Sequence, residues 1–165
     1  MHSLNQIISE LKKFNSPNSE FYPALNKGKI DELEKKLKYK LPLDFRKFLL
    51  ISNGAIINCH ELYGIHDDKP FEDLFGNYIF EKDEVENPIR EHLLPIYPDG
   101  MGNHQCLDLR SLSPDGEICN VIFWQHDHFY SEYEQPDIDA ISFTQFLENI
   151  LNNMSEHYYY DGSPK

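Results

Sequence analysis

Leu41-Pro42-Leu43-Asp44-Phe45-Arg46-Lys47-Phe48-Leu49-Leu50-Ile51-Ser52-Asn53-Gly54 is the stretch on which the fold turns. Pro42 brings a preset φ and needs no backbone donor, which suits the first turn of a helix. Phe45, Phe48 and Leu49 then repeat at the spacing that lines one helical face. Asn53-Gly54 ends the run, because both residues tolerate the left-handed conformation of a helix terminus. Beyond Gly54 the apolar period shortens, and Ala55 to Asn58 and Glu61 to Ile65 read as short strands. Helices therefore lie before this point and strands after it.

Upstream, Ile30, Leu33 and Leu37 predict a helix with Asp31, Glu32 and Glu34 near its start. Lys35, Lys36, Lys38 and Lys40 follow toward its end, an order that complements the helix dipole. Leu4, Ile7, Ile8, Leu11 and Phe14 predict a first helix, which Asn15-Ser16-Pro17-Asn18 stops. The residues between these two helices read as a loop. Downstream, Leu93 to Tyr97, His104 to Leu109 and Ile118 to Trp124 predict three strands. Asp99-Gly100-Met101-Gly102-Asn103 and Ser113-Pro114-Asp115-Gly116 supply the turns, and short turns imply antiparallel pairing. Ser142 and Gln145 read as a capping box, opening a last helix along Phe143, Phe146, Leu147, Ile150 and Leu151. Residues 66–91 show no clear period and leave loop and short helix both open. The expected class is α+β, with N-terminal helices and one C-terminal helix packed on a largely antiparallel sheet.

The 165 residues suffice for one core, so a single domain over 1–165 is expected, with 1–27 as N-terminal helix and loop. The tail 155–165, with Tyr158-Tyr159-Tyr160, is expected to fray or dock loosely. Eleven Phe, ten Tyr and one Trp argue against wholesale disorder. A net charge of -13 repels phosphate backbones and anionic membrane faces, and it steers basic proteins into contact. Direct nucleic-acid binding and membrane binding are therefore not expected. Cys59, Cys106 and Cys119 form an odd set without CxxC spacing, which fits reduced thiols and a cytoplasmic location. The N-terminal residues carry no export signal pattern.

Ile30-Asp31-Glu32-Leu33-Glu34, Leu41 to Leu49 and Ser52-Asn53-Gly54, taken in order, resemble the N-terminal signature of the SUKH superfamily. Leu94-Pro95-Ile96, the turn at Gly100 and Gly102, Cys106-Leu107-Asp108-Leu109, Val121 to Asp127 and Ser142-Phe143 are similar to its second half. Two departures are Asn103 and Gln125, where the family often has an acidic residue. The superfamily includes fungal Smi/Knr cell-wall regulators and many bacterial immunity proteins. The resemblance implies a protein-binding scaffold, commonly a cytoplasmic antidote to a toxin, and many such toxins are nucleases. The expected partner is thus a basic toxin protein, a nuclease being one candidate type. A regulatory adaptor of the Smi/Knr kind is the alternative within the binding class.

Two acidic groups are candidates for a partner-facing surface: Glu81, Asp83, Glu84 and Glu86, and Asp127, Glu132, Glu134, Asp137 and Asp139. Phe129, Tyr130 and Tyr133 accompany the second group, and rings within a charged rim are the composition of a binding hot spot. Residues 125–139 are therefore the expected interface. Asp127 is also expected to accept backbone hydrogen bonds where its strand ends. Trp124 is expected in the core. The rival from another class is a small metal-dependent hydrolase built on His126 and His128. No HExxH or paired CxxC motif adds ligands, and no oxyanion device accompanies any Cys-His pair. No catalytic residue, metal or cofactor is expected.

Overall fold

The computed structural model describes residues 2–165. Helix α1 (Leu4–Leu11) starts at Ser3, whose hydroxyl and the Gln6 side chain satisfy each other's backbone amides. Helix α2 (Lys27–Leu37) follows the Asn26 cap, and Lys38 ends it in the left-handed conformation. Helix α3 (Leu43–Ile51) has Pro42 at its cap position, which cannot cap with a side chain. Its first amides are satisfied from a distance instead. Leu43 and Asp44 donate to the carbonyls of Gly116 (3.0 Å) and Glu117 (3.2 Å). The sequence element that starts this helix therefore also fixes it to a remote turn.

The strand block divides into two antiparallel sheets, where the sequence suggested one. The first is β1 (Glu20–Phe21), β2 (Ala55–Ile57) and β3 (His60–Leu62). The second, in spatial order, is β4 (Leu93–Pro98), β5 (His104–Asp108), β6 (Val121–Trp124) and β7 (Asp137–Ala140). Tyr63 N–H donates to the Ile96 carbonyl (3.0 Å), joining the first sheet to the β4 edge of the second. β1 lies in the segment read as loop, and its two residues are too few to show a period. β6 begins only at Val121, because Ile118 closes the preceding turn by accepting from Ser113 N–H (2.8 Å). Helix α4 (Leu74–Asp83) occupies part of the stretch left open, capped by Asp73, which accepts from Gly76 N–H. α5 (Phe143–His157) is capped by Ser142, but Gln145 Oε1 accepts from Ile141 N–H, not from Ser142.

The core gathers Phe45, Phe48 and Phe143, with Phe143 centroids 4.9 and 5.2 Å from the other two rings. Buried Asp44 ties α3 to α5, accepting from Phe45 N–H (2.8 Å), Thr144 N–H (2.9 Å) and Thr144 Oγ1 (3.2 Å). Buried Glu34 ties α2 to α3: it accepts from Leu41 N–H (3.0 Å) and Lys40 (2.9 Å), and pairs with Arg46. The tail lies against the end of α1. Asn15 N–H donates to the Tyr160 carbonyl (2.7 Å), and the Phe14 and Tyr160 rings meet edge to face at 5.0 Å.

Candidate functional site

β6 ends at Trp124 and the chain runs irregularly through 125–136 before β7. His126 and His128 thus stand in a loop. Three side chains outside the loop fix its path. Asn87 Nδ2 donates to the carbonyls of His126 (2.9 Å) and His128 (2.8 Å). The Arg90 guanidinium donates to the carbonyls of Ser131 (2.9 Å) and Glu134 (2.5 Å) and to Gln135 Oε1 (3.1 Å). Asn103 Oδ1 accepts from His126 N–H (3.0 Å), while its Nδ2 donates to Asp99 (2.7 Å). Gly102, at φ +98°, backs onto the His126 ring, and a Cβ there would meet Nδ1 at 3.0 Å.

Asn87 and Arg90 follow α4, so their bonds bring part of each acidic group of the sequence to one place. Glu81, Glu86, His126, Asp127 and Phe129 line a single cleft of about 390 Å³. Between 125 and 139 there are five acidic side chains and no lysine or arginine. Burial pushes the Glu81 carboxyl up, with His126 partly opposing it. The His128 hydrogen bond (2.6 Å) leads the effects that hold Glu134 below the ordinary carboxylate range. Burial also pushes Asp139 up, against a hydrogen bond from the Gln105 side chain. At Asp99 burial works upward too, but hydrogen bonds from Met101 N–H and from the amide and side chain of Asn103 outweigh it.

The three rings divide. Tyr130 packs on buried Trp124 at 4.4 Å between centroids, and its hydroxyl accepts from Gln125 N–H (3.2 Å). Phe129 and Tyr133 stand 67% and 87% exposed. Asp127, Glu132, Glu134, Asp137 and Asp139 are exposed as well. Among the described residues Asp127 accepts no backbone hydrogen bond, contrary to the expectation for it; Asp99 and Asn103 fill that role from the neighbouring turn. Sequence reasoning missed the positioning residues Asn87 and Arg90. A lone arginine in an acidic stretch was the only available signal.

Among the described residues no group of three or more His, Cys, Asp or Glu could hold a metal ion. His126 Nδ1 lies 2.9 Å from Asn103 Oδ1, while His128 is engaged by Glu134. Cys106 and Cys119 are buried, and burial pushes both thiols up, away from the reactive thiolate. A larger cleft, about 670 Å³, lies beside α2 and α3, lined by Lys27, Lys35, Lys38, Lys40 and Arg46. Within it Arg46 pairs with Asp31 and Glu34, and Lys40 with Glu34, the ion-pair network that joins the helices.

Helices on two small antiparallel sheets, with a side-chain-clamped acidic loop, define an α+β scaffold whose distinctive surface faces solvent. The profile of the SMI1 / KNR4 family (SUKH-1) matches residues 24–149, and the chain belongs to that family. Immunity protein YokJ of Bacillus subtilis (strain 168) is 25% identical over 123 residues, covering 74% of this chain and 72% of that protein. A crystal structure of a protein from Pseudomonas syringae pv. tomato shares the fold, with a TM-score of 0.59 at 20% identity, over 74% of this chain and 83% of that one. No helix among the described residues is long and apolar enough to cross a membrane.

Proposed function

We propose that this chain is an immunity-type binding protein that neutralises a cognate toxin in the cytoplasm by covering its active surface, with no chemical step of its own. The observation that carries this is the meeting of two acidic segments, far apart in sequence, where Glu81, Glu86 and Asp127 surround exposed Phe129. Kinship with a protein named for immunity supports the same reading. A basic toxin fits the surface best. If it is a nuclease, carboxylates such as Asp127, Glu132 and Asp137 occupy its phosphate-binding cations through charge-assisted hydrogen bonds, while the exposed Phe129 and Tyr133 rings fill apolar gaps between them.

The charge layout supports this assignment of the contact side. Ten of the 15 basic side chains lie in the first fifty residues, and 22 of the 28 acidic ones lie beyond them. The field that draws in a cation is therefore concentrated in the strand-bearing part of the chain. Coexpression with a candidate toxin from a neighbouring gene should yield a stable complex whose association rate falls as salt rises. A rate indifferent to salt removes the electrostatic mechanism, and failure to form any complex removes the immunity reading.

A further inference from the structure

β7 is the end strand of the second sheet: its inner edge pairs with β6, and its outer edge has no backbone partner among the described residues. The opposite edge of that sheet, β4, is covered by the Tyr63 bond. Residues 137–140 follow directly on the acidic loop, so the open edge adjoins the surface proposed for partner contact. Asp137 stands opposite Phe123 and Ile138 opposite Ile122, so these two point to opposite faces; the register then shifts, and Asp139, bonded by the Gln105 side chain, lies at that irregularity. Ile138 stands opposite buried Ile122 yet remains 59% exposed, and Ile141 beyond it is also exposed.

The geometry points to β7 as a docking edge on which an extended, basic segment of the partner adds a fifth strand to the sheet. This inference rests on the proposed partner-binding role and specifies how the same surface is used. Main-chain groups of β7 supply the hydrogen bonds, Ile138 offers an apolar contact, and Asp137 and Asp139 select lysine or arginine on the added strand. A second copy of this chain is the wrong occupant. Antiparallel self-pairing centred on Ile138 sets Asp137 against Asp139 of the other copy, and like charges across strands repel. The acids thus guard the edge against self-association while leaving it open to a cation-bearing strand.

The test uses the full chain and a capped synthetic peptide of alternating lysine and valine, about seven residues long, with a glutamate-valine peptide as its counterpart. Amide hydrogen exchange resolved by NMR is the readout. Saturating lysine peptide should slow exchange of outward-facing amides within 137–140 by about tenfold or more, and the glutamate peptide should not. In a D137K/D139K variant, shown by its melting temperature to be folded, the preference should reverse. Protection confined to 125–136 overturns strand addition while leaving the contact surface intact. Absence of lysine-peptide binding, or concentration-dependent protection of β7 without peptide, overturns the proposal as well. The partner-binding role itself is judged separately, by the toxin complex.

Discussion

Arg90→Ala removes the guanidinium that grips the loop through three hydrogen bonds, to Ser131, Glu134 and Gln135. A net hydrogen bond contributes about 0.5–1.5 kcal/mol, and these are solvent-exposed, so together they hold the loop by about 1–2 kcal/mol. That corresponds to roughly 5- to 30-fold more frequent loop opening. The bonds lie outside the core, so the melting temperature should fall by less than about 4 °C. The sensitive amides are His128, Ser131 and Glu134, whose N–H groups bond to Gln125, Glu134 and Ser131 respectively. Hydrogen exchange at these amides should accelerate in the variant while core amides stay unchanged. Arg90→Lys separates geometry from charge: one ammonium cannot span the same fork of acceptors, so it should resemble alanine more than arginine. With toxin, removal of a cation from an acidic surface should raise the association rate slightly, while the loosened loop raises dissociation more. Unchanged exchange at the three amides in Arg90→Ala would refute the clamp.

Glu34→Ala should destabilise the fold by about 2–4 kcal/mol, because the buried Leu41 amide loses its acceptor and Arg46 and Lys40 lose a carboxylate. A loss under about 0.5 kcal/mol in urea titration would show the network to be incidental. The His104 imidazole is held below its ordinary value chiefly by burial. An unfolded histidine titrates near about 6.5, so below that pH the unfolded chain takes up a proton that the folded chain resists, and stability falls as pH drops. His104→Gln should flatten this slope in part, since His60 and His92 are shifted the same way by burial; an identical slope would exclude His104. Phe129→Ala with Tyr133→Ala should weaken toxin binding by about 2 kcal/mol or more and leave melting unchanged. Tyr130→Ala should instead lower melting, since its ring rests on Trp124; equal effects from both changes would contradict the division of the rings.

Strong periods and punctuation made α2, α3, α5 and the β4 to β6 strands legible, and the resemblance named the family now shown by its match over 24–149. What stayed hidden did so for physical reasons. β7 reads Asp137-Ile138-Asp139-Ala140, and an edge strand with two aspartates offers only Ile138 and Ala140 as apolar signal. α4 buries only Leu74 and Tyr78, too few to distinguish a helix from a loop without its Asp73 cap. The acidic and aromatic residues of the site were visible as composition. Their assembly was not, because Asn87 and Arg90 act across about forty residues of chain, a range that no periodicity encodes.

Asn87 and Arg90 hold the 125–136 segment mainly by carbonyl oxygens, atoms that every amino acid carries. Side chains there that only face solvent, such as Phe129 and Tyr133, can therefore be exchanged while its course stays the same, whereas Tyr130, which rests on Trp124, cannot. The segment works as a mounting with replaceable fittings: Phe129, Glu132 or Tyr133 can change without rebuilding the frame. Substitutions tolerated there should outnumber those tolerated at the two anchors that grip it.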